Sequence, residues 1–210
     1  MFYTKKFFFN RRGFSLIELM VIIAIVGIIV SIGTPEYGRF VAKNRVRDAA
    51  SDLIQEMRLT RSIAIKENRP YLMVFDIANN RYMIGFNANA DTGDTDLLDA
   101  VDTYRNGPVK IVNLSEYGSS IEFRTLAAND PYNNAIDCNG GTACFGTFNS
   151  TNETFNEDGS LGEKGSVYIQ HADRGFSYLV DIRNQAGLIN LWRWDGDIEN
   201  QAVLTWTEVR

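Results

Sequence analysis

The chain has 210 residues, 45% hydrophobic and 22% charged, with 26 acids against 21 bases, one histidine and two cysteines. A single histidine excludes a paired-His metal centre, and a net charge of −5 argues against holding a phosphate backbone by bulk charge, which needs clustered Lys and Arg. There is no G-x-S-x-G, no Walker A and no metalloprotease His pair, so no nucleophile, base and oxyanion set is legible.

The chain opens with Lys5, Lys6, Arg11 and Arg12, followed by Gly13-Phe14-Ser15-Leu16-Ile17-Glu18 and an apolar run from Leu19 to Ile32. The uncharged stretch from Leu19 to Thr34 is a little short of the roughly 20 residues that span a bilayer, and Phe14 to Ile17 add apolar length. A carboxylate near bilayer depth costs about 2.5–3.5 kcal/mol on insertion scales, so Glu18 is a functional candidate that needs a partner. No Lys or Arg lies between Phe14 and Pro35, so none is available within the segment. A cleaved secretory signal would be cut after the apolar run, but Gly33-Thr34-Pro35-Glu36 is a poor small-residue site. A plain signal anchor, oriented by its basic flank, explains everything except Glu18.

Beyond the membrane segment, Val46, Ala49, Ala50, Leu53, Met57 and Ala64 recur at three- and four-residue spacing, with charged residues between them. This pattern predicts an amphipathic helix continuous with the apolar one, over about residues 14–66. Pro35 lies inside it and predicts a kink or melted turn near Gly33 to Pro35. Asn68-Arg69-Pro70 ends it, because the residue before proline is pushed out of the helical region.

After Pro70 the pattern turns to short β-rich runs. Tyr71 to Phe75 and Arg81 to Phe86, joined through Ala78-Asn79-Asn80, read as a hairpin. Further strands are predicted at Val109 to Val112, Ile121 to Arg124, Val167 to Gln170, Ser177 to Ile182, Leu188 to Arg193 and Ala202 to Val209. These form one β-rich domain of about 140 residues, enough for its own core.

Cys138 and Cys144 flank a Gly-rich loop, and in an exported head they are expected to form a disulfide. Asp91, Asp94 and Asp96 form a weak calcium candidate on a turn, although the run fails the EF-hand template at its sixth and twelfth positions. Glu153, Glu157 and Asp158 are the acids on which a membrane-tethered periplasmic hydrolase would rest, if they converged in a cleft; scattered acids are more often solvated turns. No cofactor is expected. Arg183 and Arg193, with Trp192 and Trp194, would make a weak DNA-binding patch only if they shared one face of a sheet.

The leader, Gly13, Phe14, Glu18 and Pro35 together resemble the class III signal of type IV prepilins and type II secretion pseudopilins. The long helix, the immediate hairpin and Phe155-Asn156-Glu157-Asp158-Gly159 before paired strands resemble the GspH/FimT-type minor pilins and pseudopilins. The resemblance implies an α+β type IV pilin fold, with a long N-terminal helix packed on an antiparallel β-sheet head. It divides the chain into a leader (1–13), a helix (14–66, transmembrane over about 14–34) and a periplasmic head (67–210). It implies cleavage after Gly13 by a prepilin peptidase, methylation of Phe14, and a Glu18 that faces the N-terminal ammonium of the neighbouring subunit. The implied partners are other pilins or pseudopilins and an inner-membrane assembly platform. The implied location is the inner membrane, single-pass, and then the filament, at or near its tip.

DNA-uptake members of this family carry a Gly-Arg-x-Arg turn before the last strands. Here the place reads Gly187-Leu188-Ile189-Asn190, with both arginines absent. Loss of residues 1–13 with their four cations takes the net charge to −9, which adds repulsion to nucleic acid.

Overall fold

The computed structural model describes residues 13–86, 110–127, 129–132, 136, 145–146, 152–162, 164–196 and 205–209. A single helix, α1, occupies Leu16–Glu67. Contacts divide the chain into two units, one up to Phe40 and one from Val41 onward.

The first unit contains the apolar part of α1. The backbone stays helical through Pro35, so the melted turn expected there is absent. Proline removes one bond from the ladder at about 3 kcal/mol, and helix propagation on both sides outweighs a single gap. Two hydroxyls bond back to the ladder nearby: Ser31 Oγ donates to Ile28 O (2.8 Å) and Thr34 Oγ1 to Val30 O (2.6 Å).

In the second unit α1 buries Val46, Ala49, Ala50, Leu53, Met57, Thr60 and Ala64, the stripe set by three- and four-residue spacing. The helix stops one residue earlier than the proline rule requires. Asn68 takes a left-handed conformation (φ 51°), its N–H donates to Ile65 O and that of Arg69 to Ala64 O. This is a Schellman cap, in which asparagine serves where glycine is usual.

Among the described residues ten strands follow in chain order: β1 (Tyr71–Asp76), β2 (Arg81–Phe86), β3 (Lys110–Asn113), β4 (Ile121–Glu122), β5 (Phe145–Gly146), β6 (Asn152–Phe155), β7 (Gly165–His171), β8 (Ser177–Ile182), β9 (Ile189–Trp194) and β10 (Trp206–Val209). They form two antiparallel sheets rather than one. The first has the order β3-β2-β1-β6 and the second β10-β9-β8-β7-β4, with β5 also paired to β7. The fold is therefore α+β, a long N-terminal helix followed by antiparallel sheets.

Strand alternation decides which side chains meet the helix. Tyr71, Met73 and Phe75 of β1, Val167 and Ile169 of β7, Val180 and Ile182 of β8, and Ile189 and Leu191 of β9 share one core with the α1 stripe. The opposite faces are also covered, by Leu72, Val74 and Met83 on the first sheet and by Tyr168 and Leu179 on the second.

The β1–β2 hairpin closes through polar groups. Asp76 Oδ2 accepts from Arg81 Nε (2.7 Å) and Asn79 Nδ2 (2.8 Å), while Asp76 Oδ1 accepts from the Asn79 N–H (3.2 Å). Asn80, left-handed at φ 48°, accepts from Leu114 N at its backbone oxygen and from Phe123 N at its side-chain oxygen. The turn thus holds the segment that leads from the first sheet into the second.

Burial alone would raise the Asp76 pKa, but the bonds from Asn79 and Arg81 outweigh it and hold the carboxyl below its ordinary value. A carboxyl depressed in the folded state contributes stability above its unfolded pKa of about 3.9 and loses it as pH falls through the lower folded value. Urea midpoints of wild type and Asp76→Asn should therefore differ at neutral pH and converge below about pH 4. An equal gap at neutral and strongly acid pH would show that the hairpin does not depend on the charge.

Candidate functional site

The first candidate site is the start of α1. Gly13 to Ser15 precede the helix, and Leu19 N–H donates to Ser15 O (3.1 Å), which opens the ladder. Glu18 falls in the first turn, where backbone N–H groups lack helical acceptors and a carboxylate is favoured by the helix dipole. No ion pair reaches Glu18 from the described residues.

Around it the surface is apolar and uncovered. Phe14 is 75% exposed, Leu16 77% and Ile17 64%, and exposure continues through Val30. Residues 16–34 at 1.5 Å per residue extend about 28 Å, near the thickness of a hydrocarbon core. An apolar surface of this size is covered by lipid or by other apolar helices, and among the described residues nothing covers it. Pro35 is part of the same helix.

The second candidate region is the outer face of the second sheet, away from α1. Asp181, 4% exposed on β8, accepts from Tyr132 Oη (2.6 Å) and Ser166 Oγ (3.0 Å), and Arg183 Nε stands 3.3 Å from its Oδ2. The Arg183 guanidinium lies 3.7 Å from the Tyr132 ring centroid, and that ring meets Trp192 edge-on at 6.0 Å. Burial, then the Asp181 bond, pushes the Tyr132 hydroxyl well above its ordinary pKa, so it remains a neutral donor.

This geometry separates the predicted basic and aromatic group. Ile189 and Leu191 face the α1 core, so alternation along β9 places Arg193 on that side and Trp192 on the other. Arg193 is held by Asp195, with Nη2 at 2.6 Å and Nε at 2.7 Å from Oδ1. Trp194 is 2% exposed, which leaves no face for stacking a base. Both arginines are thus engaged by carboxylates, and they lie on opposite faces.

The three candidate hydrolytic acids do not share a cleft. Glu153 is fully buried in β6, whereas Glu157 and Asp158 are exposed in the turn that follows. Asp158 accepts from the Ser160 N–H (2.7 Å), and the Ser160 bonds lower its pKa, as expected of a turn residue. His171 is buried at the end of β7. No cluster of three metal-ligating side chains occurs among the described residues. Cys138, Cys144, Asp91, Asp94 and Asp96 lie outside the described residues.

Two features were missed from sequence. The Asp181 network was signalled only by a lone carboxylate within the apolar run of β8. The other is Arg61, whose Nε donates to Gly159 O (2.7 Å) and whose guanidinium fills the space beside Gly187. Gly159 (φ 80°) and Gly187 (φ 86°) are both left-handed, and any side chain there would meet Ile65 or Arg61. The glycine retained at position 187 therefore has a packing reason independent of its absent arginines.

The chain matches two family models: the prokaryotic N-terminal methylation motif over residues 8–34 and the type II transport protein GspH over residues 49–186. It is 33% identical over 76 residues to a fimbrial protein of Pseudomonas aeruginosa, covering 36% of this chain and 49% of that protein. It is 31% identical over 102 residues to the type IV major pilin protein PilA of Myxococcus xanthus, covering 44% of each. The chain thus spans about half the length of these relatives. Among solved structures, it resembles the minor pseudopilin EpsH from the Type 2 Secretion System of Vibrio cholerae (TM-score 0.42, 14% identity, 70% of this chain and 95% of that one). It also resembles the type IV minor pilin FimU of Pseudomonas aeruginosa (TM-score 0.46, 15% identity, 77% and 98%).

Proposed function

We propose, on the premise that the chain belongs to the type II transport protein GspH family, that it is a minor subunit of a type IV pilus or type II secretion pseudopilus, assembled at or near the tip. The family is one of structural pilin and pseudopilin subunits, and the chain is not an enzyme. The observation that carries the proposal is the uncovered apolar helix with a single carboxylate in its first turn. Such a surface suits a membrane before assembly and a bundle of like helices after it, and the carboxylate suits an ammonium supplied by a neighbour.

On this reading residues 1–13 are a leader that a prepilin peptidase removes after Gly13, with methylation of Phe14. The basic leader stays cytoplasmic and the head lies in the periplasm, anchored in the inner membrane until the assembly platform passes the subunit into the filament. Cys138 and Cys144 would be joined in that oxidising compartment. A DNA-uptake role through the head is disfavoured by the two arginines missing at 188–190 and by the carboxylates that engage Arg183 and Arg193.

Intact mass spectrometry of the membrane form tests the processing. The expected chain begins at Phe14, is one methyl group heavier than the bare sequence, and is two hydrogens lighter without reductant than with it. Retention of Met1 in assembled material, or cleavage beyond Ile32, would sink the reading.

A further inference from the structure

We propose that the groove between α1 and the β9–β10 edge is a docking site for an extended, acidic segment of another protein chain, which adds to β10 as a further strand. The proposal deepens the reading of the chain as a filament subunit, and rests on that reading only for the kind of protein that supplies the segment.

The groove has an apolar floor and a polar rim. Ile54 of α1 and Ile189, Leu191 and Val209 of the second sheet line the floor, and Arg47 and Arg58 stand over it from the helix; Glu208 borders it on β10, but lies opposite Trp192, so its side chain is on the sheet's other face. Both arginines are exposed, and neither has a carboxylate partner among the described residues. Two cations over the floor, in a chain whose balance is −5, make this a local reversal of the chain's charge. Complementary charge selects the partner and sets its register.

The groove reaches a sheet edge at Glu208 and Val209 of β10. β10 ends the order of the second sheet, and no described strand pairs with its outer side. Asp195 N–H donates to Thr205 O (3.1 Å), and Trp194 is opposite Trp206. In an antiparallel ladder hydrogen-bonded pairs alternate, so Thr207 lies in a bonded pair with Arg193, and Trp206 turns its N–H and C=O to the outer edge. An incoming strand meets backbone groups there, while every second side chain points into the groove.

Spacing gives the sequence that fits. Arg47 and Arg58 are eleven residues apart on α1, about 16 Å along the axis at 1.5 Å per residue. A strand rises about 3.3 Å per residue, so acids at positions i and i+4 lie about 13 Å apart on one face, within reach of two arginine side chains. Position i+2 then sits over the floor and suits Val or Ile.

The probe is a synthetic ten-residue peptide with Glu, Val and Glu at alternate central positions and Thr between them, titrated against the full chain in detergent micelles. Binding should slow amide exchange at Trp206, weaken about tenfold or more in Arg47→Glu/Arg58→Glu, and recover in that variant when the peptide's Glu residues are replaced by Lys. N-methylation of the peptide's backbone edge should weaken binding to a similar extent, because it blocks the ladder without altering charge. Equal binding of acidic and basic peptides to wild type, or binding indifferent to N-methylation, would overturn the proposal. Parallel scoring of filament entry separates the two readings: a chain that enters filaments but ignores the acidic peptide refutes the groove alone. A chain that binds the peptide but never enters filaments refutes the filament role and leaves the groove standing.

Discussion

Glu18→Val is expected to leave membrane insertion intact and to lower entry into the filament by tenfold or more. In the isolated subunit the carboxylate is a burden of about 2.5–3.5 kcal/mol at bilayer depth, which valine removes. In the proposed assembly it meets the methylated ammonium of a neighbour's Phe14, where low dielectric strengthens the attraction and the pair sets the register between helices. A tenfold loss corresponds to only about 1.4 kcal/mol, less than breaking a buried ion pair usually costs. Comparing the variant's share of sheared filament and of membrane with that of wild type tests this. Normal incorporation would remove Glu18 from assembly, and loss from both fractions would point to failed insertion or degradation instead.

Leu53→Ala should produce the larger effect on folding. Leu53 is fully buried on the face of α1 that meets both sheets, and its truncation leaves a cavity lined by side chains that cannot all relax. Leu-to-Ala changes at such sites cost about 2–5 kcal/mol, a large share of a domain's typical stability of about 5–15 kcal/mol. Leu59, on the same helix but 52% exposed, provides the control, and Leu59→Ala should shift stability by about 0.5 kcal/mol or less. Urea unfolding followed by tryptophan fluorescence should separate the two clearly. A Leu53→Ala midpoint as close to wild type as that of Leu59→Ala would mean that α1 contributes little to the stability of the rest of the second unit.

What was legible in the sequence was local. The N-terminal methylation motif is contiguous, so its basic residues, Gly13, Glu18 and apolar run are recognised without knowing the fold. The stripe from Val46 to Ala64 reads directly because helical spacing repeats on one face. The β1–β2 hairpin reads because its turn residues lie between two apolar runs. The division into two sheets does not read. It depends on β6, a four-residue strand with the polar sequence Asn-Glu-Thr-Phe, crossing to pair with β1 roughly eighty residues earlier. Strands of two residues, such as β4 and β5, have no period to detect. At Pro35 the continuous helix reads correctly but the melted turn does not form, because a single-residue rule does not weigh the length of helix on either side.

The basic and aromatic group at the chain's end illustrates the same limit. Arg183, Trp192, Arg193 and Trp194 are close in sequence, but a strand sends neighbours to opposite faces, and Asp181 and Asp195 lie two residues from the arginines they engage. Proximity in sequence suggested a patch, and the register of β8 on β9 disperses it.

The last feature is mechanical. Arg61 holds the turn at Gly159 and fills the space beside Gly187, and those two turns are tied to each other by Leu161 N–H on Gln185 O (2.8 Å). One turn follows β6 of the first sheet and the other joins β8 to β9 of the second. Arg61 of α1 therefore touches a turn of each sheet, so a pull along α1 reaches both through one side chain. In the proposed role, where the subunit leaves the bilayer by its own helix, that load would enter the two sheets together rather than one hairpin at a time.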